Sequence, residues 1–220
     1  MTDTQQKKIG RPTAKGKVRI VSHCTPEEIR KYLFDRQFAT HARYKSLYTK
    51  RESLEEKALQ SGTNVTLALS GEGRIIGFGV MAYPEPGERW SQLGCHLMME
   101  IKAIEVSRNW RSAGVARGII EQMLSDPQVE DIIVYMVGYS WTWDLEGTGK
   151  SASEYRRMLF NLFEPYGFNE YETNEPNIYL KPENMLLARI GKNVTPERQK
   201  DFKWLRFNIY PDPPADSCVF

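Results

Sequence analysis

The chain has 220 residues, 40% hydrophobic and 26% charged, with a formal net charge of +2; this is the balance of a globular domain with a sizeable core, and it excludes collagen-like, low-complexity and membrane-spanning classes. Three scattered cysteines (Cys24, Cys95, Cys218) without a C-x-x-C pair argue against a disulfide framework or a zinc ribbon, and the isolated His23, His41 and His96 lack ligand spacing, so no metal is expected. The N-terminus is polar and does not read as a signal peptide, so the expected setting is cytoplasmic, with no membrane partner.

Within the first nineteen residues Lys7, Lys8, Arg11, Lys15, Lys17 and Arg19 stand against a single acid, Asp3. Residues 1–15 read as a basic flexible tail, a solubilising end rather than an arm for nucleic acid. Residues 17–22 alternate as a first strand. Thr25-Pro26-Glu27-Glu28 then combines a Thr cap, a Pro at the first helical position and a Glu three after the cap, which predicts a helix to about Leu33. Residues 34–60 read as mostly helical, with Tyr32, Phe34, Phe38, Tyr44, Leu47 and Tyr48 packing on a sheet. Residues 65–69 and 74–83 form a predicted hairpin around Ser70-Gly71-Glu72-Gly73.

A central strand is expected over 97–106, a helix over 114–125 and a buried strand over 131–137. A loop over 138–149, a helix over 151–163, a strand from Gly167, a last strand over 186–190 and a short helix from Thr195 follow. Residues 209–220 read as a flexible C-terminal tail, which leaves 16–208 as the folded domain. This order predicts an α/β (α+β) architecture, a mixed sheet with helices on both faces.

The chemistry concentrates in residues 98–124. They read as a strand, a tight turn and a helix, with Arg111, Gly114 and Ala116 set as R-x-x-G-x-A in the turn. A Gly/Ala turn that opens a helix directly after a strand presents free backbone N–H groups, and the helix dipole adds to their pull on an anion. Glu100 and Glu105 lie in the strand that leads there. In a regular strand they face opposite sides, and a bulge between them would bring them to one side. A phosphate cradle beside a carboxylate points to a cofactor with a diphosphate and chemistry at its far end, an acyl-CoA-dependent transfer to an amine.

The element order and R-x-x-G-x-A resemble the GNAT N-acetyltransferase superfamily, whose motif A is Q/R-x-x-G-x-G/A. The resemblance implies a mixed, mostly antiparallel central sheet and acetyl-CoA as co-substrate. It assigns the pyrophosphate to the backbone of Arg111, Ser112, Ala113, Gly114, Val115, Ala116 and Arg117, and the thioester and pantetheine to the backbone of Ile104–Val106, the Val106 N–H facing the oxygen that gains charge. The acceptor amine attacks directly, without an acyl-enzyme. A lysine acceptor, with a reference pKa of about 10.4, is neutral in roughly one copy of 2,500 at pH 7, a penalty of about 4.6 kcal/mol that a base must offset. In protein-lysine members that base is a strand Glu eleven positions before motif A, which here is Glu100, with Glu105 as its competitor. The superfamily's Tyr acid, in Y-E-x-x-G-F, is replaced by Phe163, which has no proton to give; Tyr155 or Tyr139 is the substitute.

Further stretches are similar to one branch of that superfamily, the acetoin-utilisation acetyltransferases: Glu88-Arg-Trp-Ser91, Ala103-Ile-Glu-Val106, Tyr139-Ser-Trp-Thr-Trp-Asp144-Leu with Gly147-Thr148, Glu154-Tyr-Arg-Arg-Met158, Arg189-Ile-Gly-Lys192 and Leu205-Arg-Phe207. The implied protein substrate is acetyl-CoA synthetase, inactivated by acetylation of its catalytic lysine. Trp141 and Trp143, on one side if the loop is extended, would dock that substrate, and Asp144 would meet the charge around the target lysine. Two other readings remain open: a small-molecule amine acetyltransferase and a non-catalytic acetyl-CoA sensor.

Overall fold

The computed structural model describes residues 7–13, 15–38, 48–94 and 96–209. Tyr44, Leu47, His41, Cys95, Cys218 and the expected tail from residue 210 lie outside them. The chain divides into two compact units, Met1–Ala82 with Lys102–Asp126, and Tyr83–Ile101 with Pro127–Phe220.

The first unit begins with strands β1 (Lys8–Thr13) and β2 (Gly16–Val21), paired antiparallel from Lys8↔Val21 to Thr13↔Gly16. Residues 8–13 are therefore not the flexible tail expected from their charge. Cations in and beside the strand have carbonyl and carboxylate partners: Lys7 Nζ donates to the Ser125 carbonyl, Lys15 Nζ to the Asn109 carbonyl, and Arg11 pairs with Glu121 at 3.4 Å. Helix α1 (Pro26–Arg30) starts as its sequence requires. The Glu28 N–H donates to Thr25 Oγ1, and the Thr25 N–H donates to the Glu28 carboxylate.

The helix stops at Arg30 because the next residues take a different partner. Strand β3 (Leu33–Phe34) lies parallel to Arg74 and Ile75. The described part of 34–60 otherwise holds a 3-10 turn at Arg36–Phe38 and helix α2 (Arg51–Ala58), less helix than expected. Strands β4 (Asn64–Leu69) and β5 (Arg74–Ala82) form the expected hairpin, with β2 antiparallel to β4. Strand β6 (Met98–Val106) neighbours β5, and helix α3 (Val115–Met123) follows it.

Alternate residues of β5 separate two faces. Gly77 and Gly79 lie under α3. A Cβ at Gly79 would stand 2.5 Å from Met123 Sδ and 2.6 Å from Ile119 Cγ2, so only glycine allows this close approach. Phe78 and Val80 point the other way, into a core with Ile29 of α1, Leu54 of α2, Phe38 and Ala103. Helices thus cover both faces of this unit. Cys24 joins the same core, 4% exposed, and burial pushes its thiol up to about 12. It is expected to stay unmodified by iodoacetamide in the native protein at pH 8 and to react on unfolding, as peptide mass spectrometry would record.

In the second unit Met98–Glu100 of β6 run parallel to β7 (Ile133–Gly138), in the register Met98↔Ile133 and Glu100↔Tyr135. Beyond β7 come short helix α4 (Leu145–Thr148), helix α5 (Ala152–Phe163) behind a Ser151 capping box, and β8 (Asn169–Tyr171). Helix α6 (Pro176–Tyr179), β9 (Met185–Ile190) and α7 (Pro196–Leu205), capped by Thr195, complete the unit. β9 pairs antiparallel with β7 and β8. Ile133 and Tyr135 share a core with Trp90, Met98, Leu186, Ala188 and Phe202. The fold is α/β with mostly antiparallel strand pairs.

Candidate active site

The first unit carries the turn that the sequence reads as an anion cradle. β6 ends where the buried Ser107 donates its N–H to the Ile76 carbonyl at 2.9 Å and its hydroxyl to Gln37 Oε1. The Arg111 Nε–H donates back to the Val106 carbonyl at 3.2 Å, which fixes the turn against the strand. Ser112 and Gly114 then both adopt positive φ, 62° and 75°. Such a conformation is strained in a serine, and alternating left-handed residues are how a chain turns its N–H groups inward.

Gly114 is the N-cap of α3, which has no side-chain cap and no acid in its first turn. A Cβ built on Gly114 meets nothing within 4 Å. Exposed Ser112, Gly114 and Arg117 with half-buried Ala113 and Ala116 border this open space, while the Val115 side chain is buried and leaves only its backbone to the cradle. The amides of a helix start, uncapped and facing open space, fit a diphosphate. Arg11 adds to the positive end, donating to the Gly114 carbonyl at 3.4 Å. Replacing Gly114 by Val is expected to raise the dissociation constant for acetyl-CoA at least about tenfold in calorimetric titration, because a β-branched residue is strained at this φ and fills the space above the amides.

Of the strand residues, Ile104, Glu105 and Val106 are half-buried in the first unit. Glu105, two positions after Ala103, shares that residue's side of β6. Glu100 is half-buried in the second unit, opposite Tyr135. Its charge reaches two phenols. Burial, then Glu100 and Glu88, keep the Tyr135 hydroxyl protonated far above the usual range. Burial, then Glu175, Glu100 and Glu88, push Tyr139 up to about 12. So high a value makes Tyr139 a poor proton donor to a thiolate. Tyr155 stacks on Trp143 with ring centroids 5.1 Å apart, and Phe163, 1% exposed, packs edge-on against Phe168.

The Trp loop is not extended. Ser140–Thr142 form a 3-10 turn, closed by the Thr142 N–H and hydroxyl donating to the Tyr139 carbonyl at 2.9 and 2.7 Å. The two tryptophans consequently have different neighbours, contrary to the expected pair. Trp141 is 56% exposed, stacked on Tyr139 with Lys181 Nζ 5.2 Å from its ring. Trp143 is half-buried on Tyr155. Asp144, expected to meet the charge around the target lysine, is 1% exposed and caps α4 by accepting the Gly147 N–H at 2.9 Å. Sequence reasoning also missed Tyr135, which only the β6–β7 register brings opposite Glu100.

That segment and the other quoted stretches have structural reasons. Trp90 packs on Tyr135 at 5.3 Å, and Arg89 donates to the Arg206 carbonyl and Asn174 Oδ1 at 2.9 and 2.6 Å. Arg206 lies over the rings of Tyr171, Phe202 and Phe207. Arg189 pairs with Glu130, whose other oxygen accepts the Lys192 N–H. Among the described residues no group of three or more His, Cys, Asp or Glu is arranged to hold a metal, and no helix is long and apolar enough to cross a membrane.

The chain is 33% identical over 195 residues to acetoin utilization protein AcuA of Bacillus subtilis (strain 168), covering 89% of this chain and 91% of that protein. Identity to AcuA of Bacillus licheniformis is also 33%, over 196 residues and the same shares. The crystal structure of an acetoin utilization protein from Exiguobacterium sibiricum 255-15 matches with a TM-score of 0.86 at 30% identity, over 94% of this chain and 97% of that one. No protein-family model matches the chain.

Proposed function

Since the chain belongs to the AcuA family of acetoin utilization proteins, we propose that it is a GNAT-type N-acetyltransferase that moves the acetyl group of acetyl-CoA to a lysine of a protein substrate, acetyl-CoA synthetase. The observation that carries this reading is the uncapped, open N-terminus of α3 behind the strained Ser112. The amides from Ser112 to Arg117 hold the pyrophosphate, the Arg111 N–H being already bound to the Arg108 carbonyl, and the backbone of Ile104–Val106 holds the pantetheine and thioester.

Glu100 takes the proton from the lysine ammonium. The neutral amine attacks the acetyl carbon, the Val106 N–H faces the oxygen that gains charge, and the thiol of CoA leaves. Cys24, buried and with its pKa pushed up to about 12, is unsuited to carry an acyl group. A free thiolate is a tolerable leaving group, so Phe163 in place of a Tyr acid does not stop the reaction. Exposed Trp141 supports a protein substrate over a small amine, with Tyr179 and Leu180, 74% and 75% exposed, beside Lys181 on the same surface.

The test is to incubate the protein with acetyl-CoA and with acetyl-CoA synthetase from the same cell, and to map acetylated lysines by mass spectrometry. A single modified catalytic lysine and loss of synthetase activity are expected. Binding of acetyl-CoA without transfer to any protein lysine would leave the sensor reading in its place.

A further inference from the structure

Within the first unit, the turn after β2 meets the end of α3 through a polar cluster. His23 follows β2 with a φ of 51°, a left-handed conformation that is uncommon outside glycine. One side chain holds it there. The His23 N–H donates to Asn64 Oδ1 at 3.1 Å, and Asn64 Nδ2 lies 3.2 Å from the ring Nε2. Thr66 Oγ1 also donates to Asn64 Oδ1, at 3.0 Å. A backbone N–H can only donate, so it fixes Oδ1 on its own side and turns the Asn64 amide nitrogen toward the ring. Nε2 is then the acceptor, which makes His23 neutral with its proton on Nδ1.

The same nitrogen faces a second group. Asp126 Oδ2 is 3.7 Å from Nε2, and the His23 and Asp126 side chains are 24% and 19% exposed, open enough for a proton to arrive. A proton on Nε2 would set its N–H against the N–H of Asn64 and favour Asp126 instead. Lys7, at the start of β1, completes the cluster. The Ser22 N–H donates to the Lys7 carbonyl at 3.2 Å and Lys7 Nζ donates to the Ser125 carbonyl, so Lys7 spans the residues next to His23 and next to Asp126. The charged groups that face the ring among the described residues are thus Asp126 from the end of α3 and Lys7 from the start of β1, while the sheet presents the neutral Asn64 and Thr66. Burial lowers the pKa of His23, against the pull of Asp126 and with the push of Lys7. The buried Gln122 donates to Ser22 Oγ and Ser125 Oγ at 3.3 and 3.5 Å, but its Oε1 has no partner, so this joint already lacks a hydrogen bond.

We propose that His23 is a proton-operated latch for the edge strand β1, switching its Nε2 between the Asn64 amide and the Asp126 carboxylate. Neutral, it ties the turn after β2 to β4 through Asn64. Protonated, it leaves Asn64 for Asp126, and its charge beside Lys7 loosens the seat of the β1 start on the end of α3. The step is the transfer of one proton from the medium to Nε2. An unfolded histidine takes up that proton near pH 6.5, before the folded one does. The contribution to stability is therefore complete above about pH 6.5 and is lost as the pH falls below it.

Nitrogen NMR of the histidine rings in the full chain reads both states. At pH 7.5 Nε2 of His23 is expected to be the unprotonated nitrogen, with a titration midpoint below about 6.5. Asp126→Asn removes the charged partner and is expected to lower the midpoint further. Asn64→Asp keeps an acceptor for the His23 N–H but gives the ring a second carboxylate, and it is expected to raise the midpoint above about 6.5. Hydrogen exchange reads the latch. The protection factor of the Ser22 amide, which donates to Lys7, is expected to fall about tenfold or more between pH 7.5 and pH 5 in wild type. In His23→Gln, which cannot take a proton, it is expected to change by less than about threefold. A wild-type Nε2 that carries the proton at pH 7.5 overturns the proposal, as does Ser22 protection that stays constant with pH or falls equally in His23→Gln. If Asn64→Asp does not fold, the Asp126→Asn midpoint and the His23→Gln exchange decide the outcome.

Discussion

Replacing Glu100 by Gln is expected to lower acetyl transfer to lysine by roughly 10²–10⁴-fold, the usual contribution of a positioned general base, with acetyl-CoA affinity unchanged. The lysine must lose a proton before it can attack, and Gln cannot take it. The isosteric change keeps the size of the side chain opposite Tyr135. The signature is a fall in kcat with pH dependence: raising the pH neutralises more of the lysine in solution, so the deficit of the variant shrinks toward pH 10. Single-turnover measurements with the synthetase at pH 7 and 9.5 read this directly. Glu105→Gln is the control. Glu105 follows Ala103 into the first unit's core side of β6, and its variant is expected to retain most activity. If Glu105→Gln is inactive and Glu100→Gln is not, the two roles are exchanged.

Gly191→Ala is the second change with a large effect, on stability. A Cβ at Gly191 would stand 2.5 Å from the Glu130 carbonyl carbon and 2.7 Å from the Val129 carbonyl oxygen, with the Glu130 oxygen nearer still. These are backbone atoms, which cannot swing aside. The same backbone is fixed from several directions: the Gly191 N–H donates to the Ile132 carbonyl, the Asn193 N–H to the Glu130 carbonyl, and Arg189 donates to the Val129 carbonyl at 3.2 Å. Relief of the clash would sacrifice these bonds. A loss of about 3 kcal/mol is expected from urea unfolding followed by circular dichroism. A loss below about 1 kcal/mol would show that the β9 end moves without cost.

The strand, turn and helix proposed to form the cradle were legible in the sequence because they are local and consecutive, and Arg111, Gly114 and Ala116 mark the turn by themselves. The capping boxes at Thr25 and Ser151 were legible for the same reason. Strand β1 was not. Gly10 and Pro12 interrupt its alternation, and a Pro is tolerated there because β1 ends the strand order and pairs with β2 alone. Trp141 and Trp143 were read as an extended pair, but the Thr142 hydroxyl competes for the Tyr139 carbonyl and curls the chain. Asp144 was read by its charge, although an Asp three residues before a Gly N–H is equally a cap. Glu100 and Tyr135 meet only through the β6–β7 register, a pairing that no local sequence signal announces.

Arg11 and Lys15 bear on kinetics as well as on contact. Their cationic groups are bound to the Gly114 and Asn109 carbonyls at the two ends of the turn that forms the cradle. Coenzyme A is a polyanion, and if the turn binds it as proposed, fixed positive charge at the mouth of that site would bend diffusive trajectories toward it before any hydrogen bond forms. A stretch that the sequence offers as a solubilising end would then act as an antenna. Its benefit would lie in the association rate, and it would fade as the ionic strength of the medium shortens the range over which charge is felt.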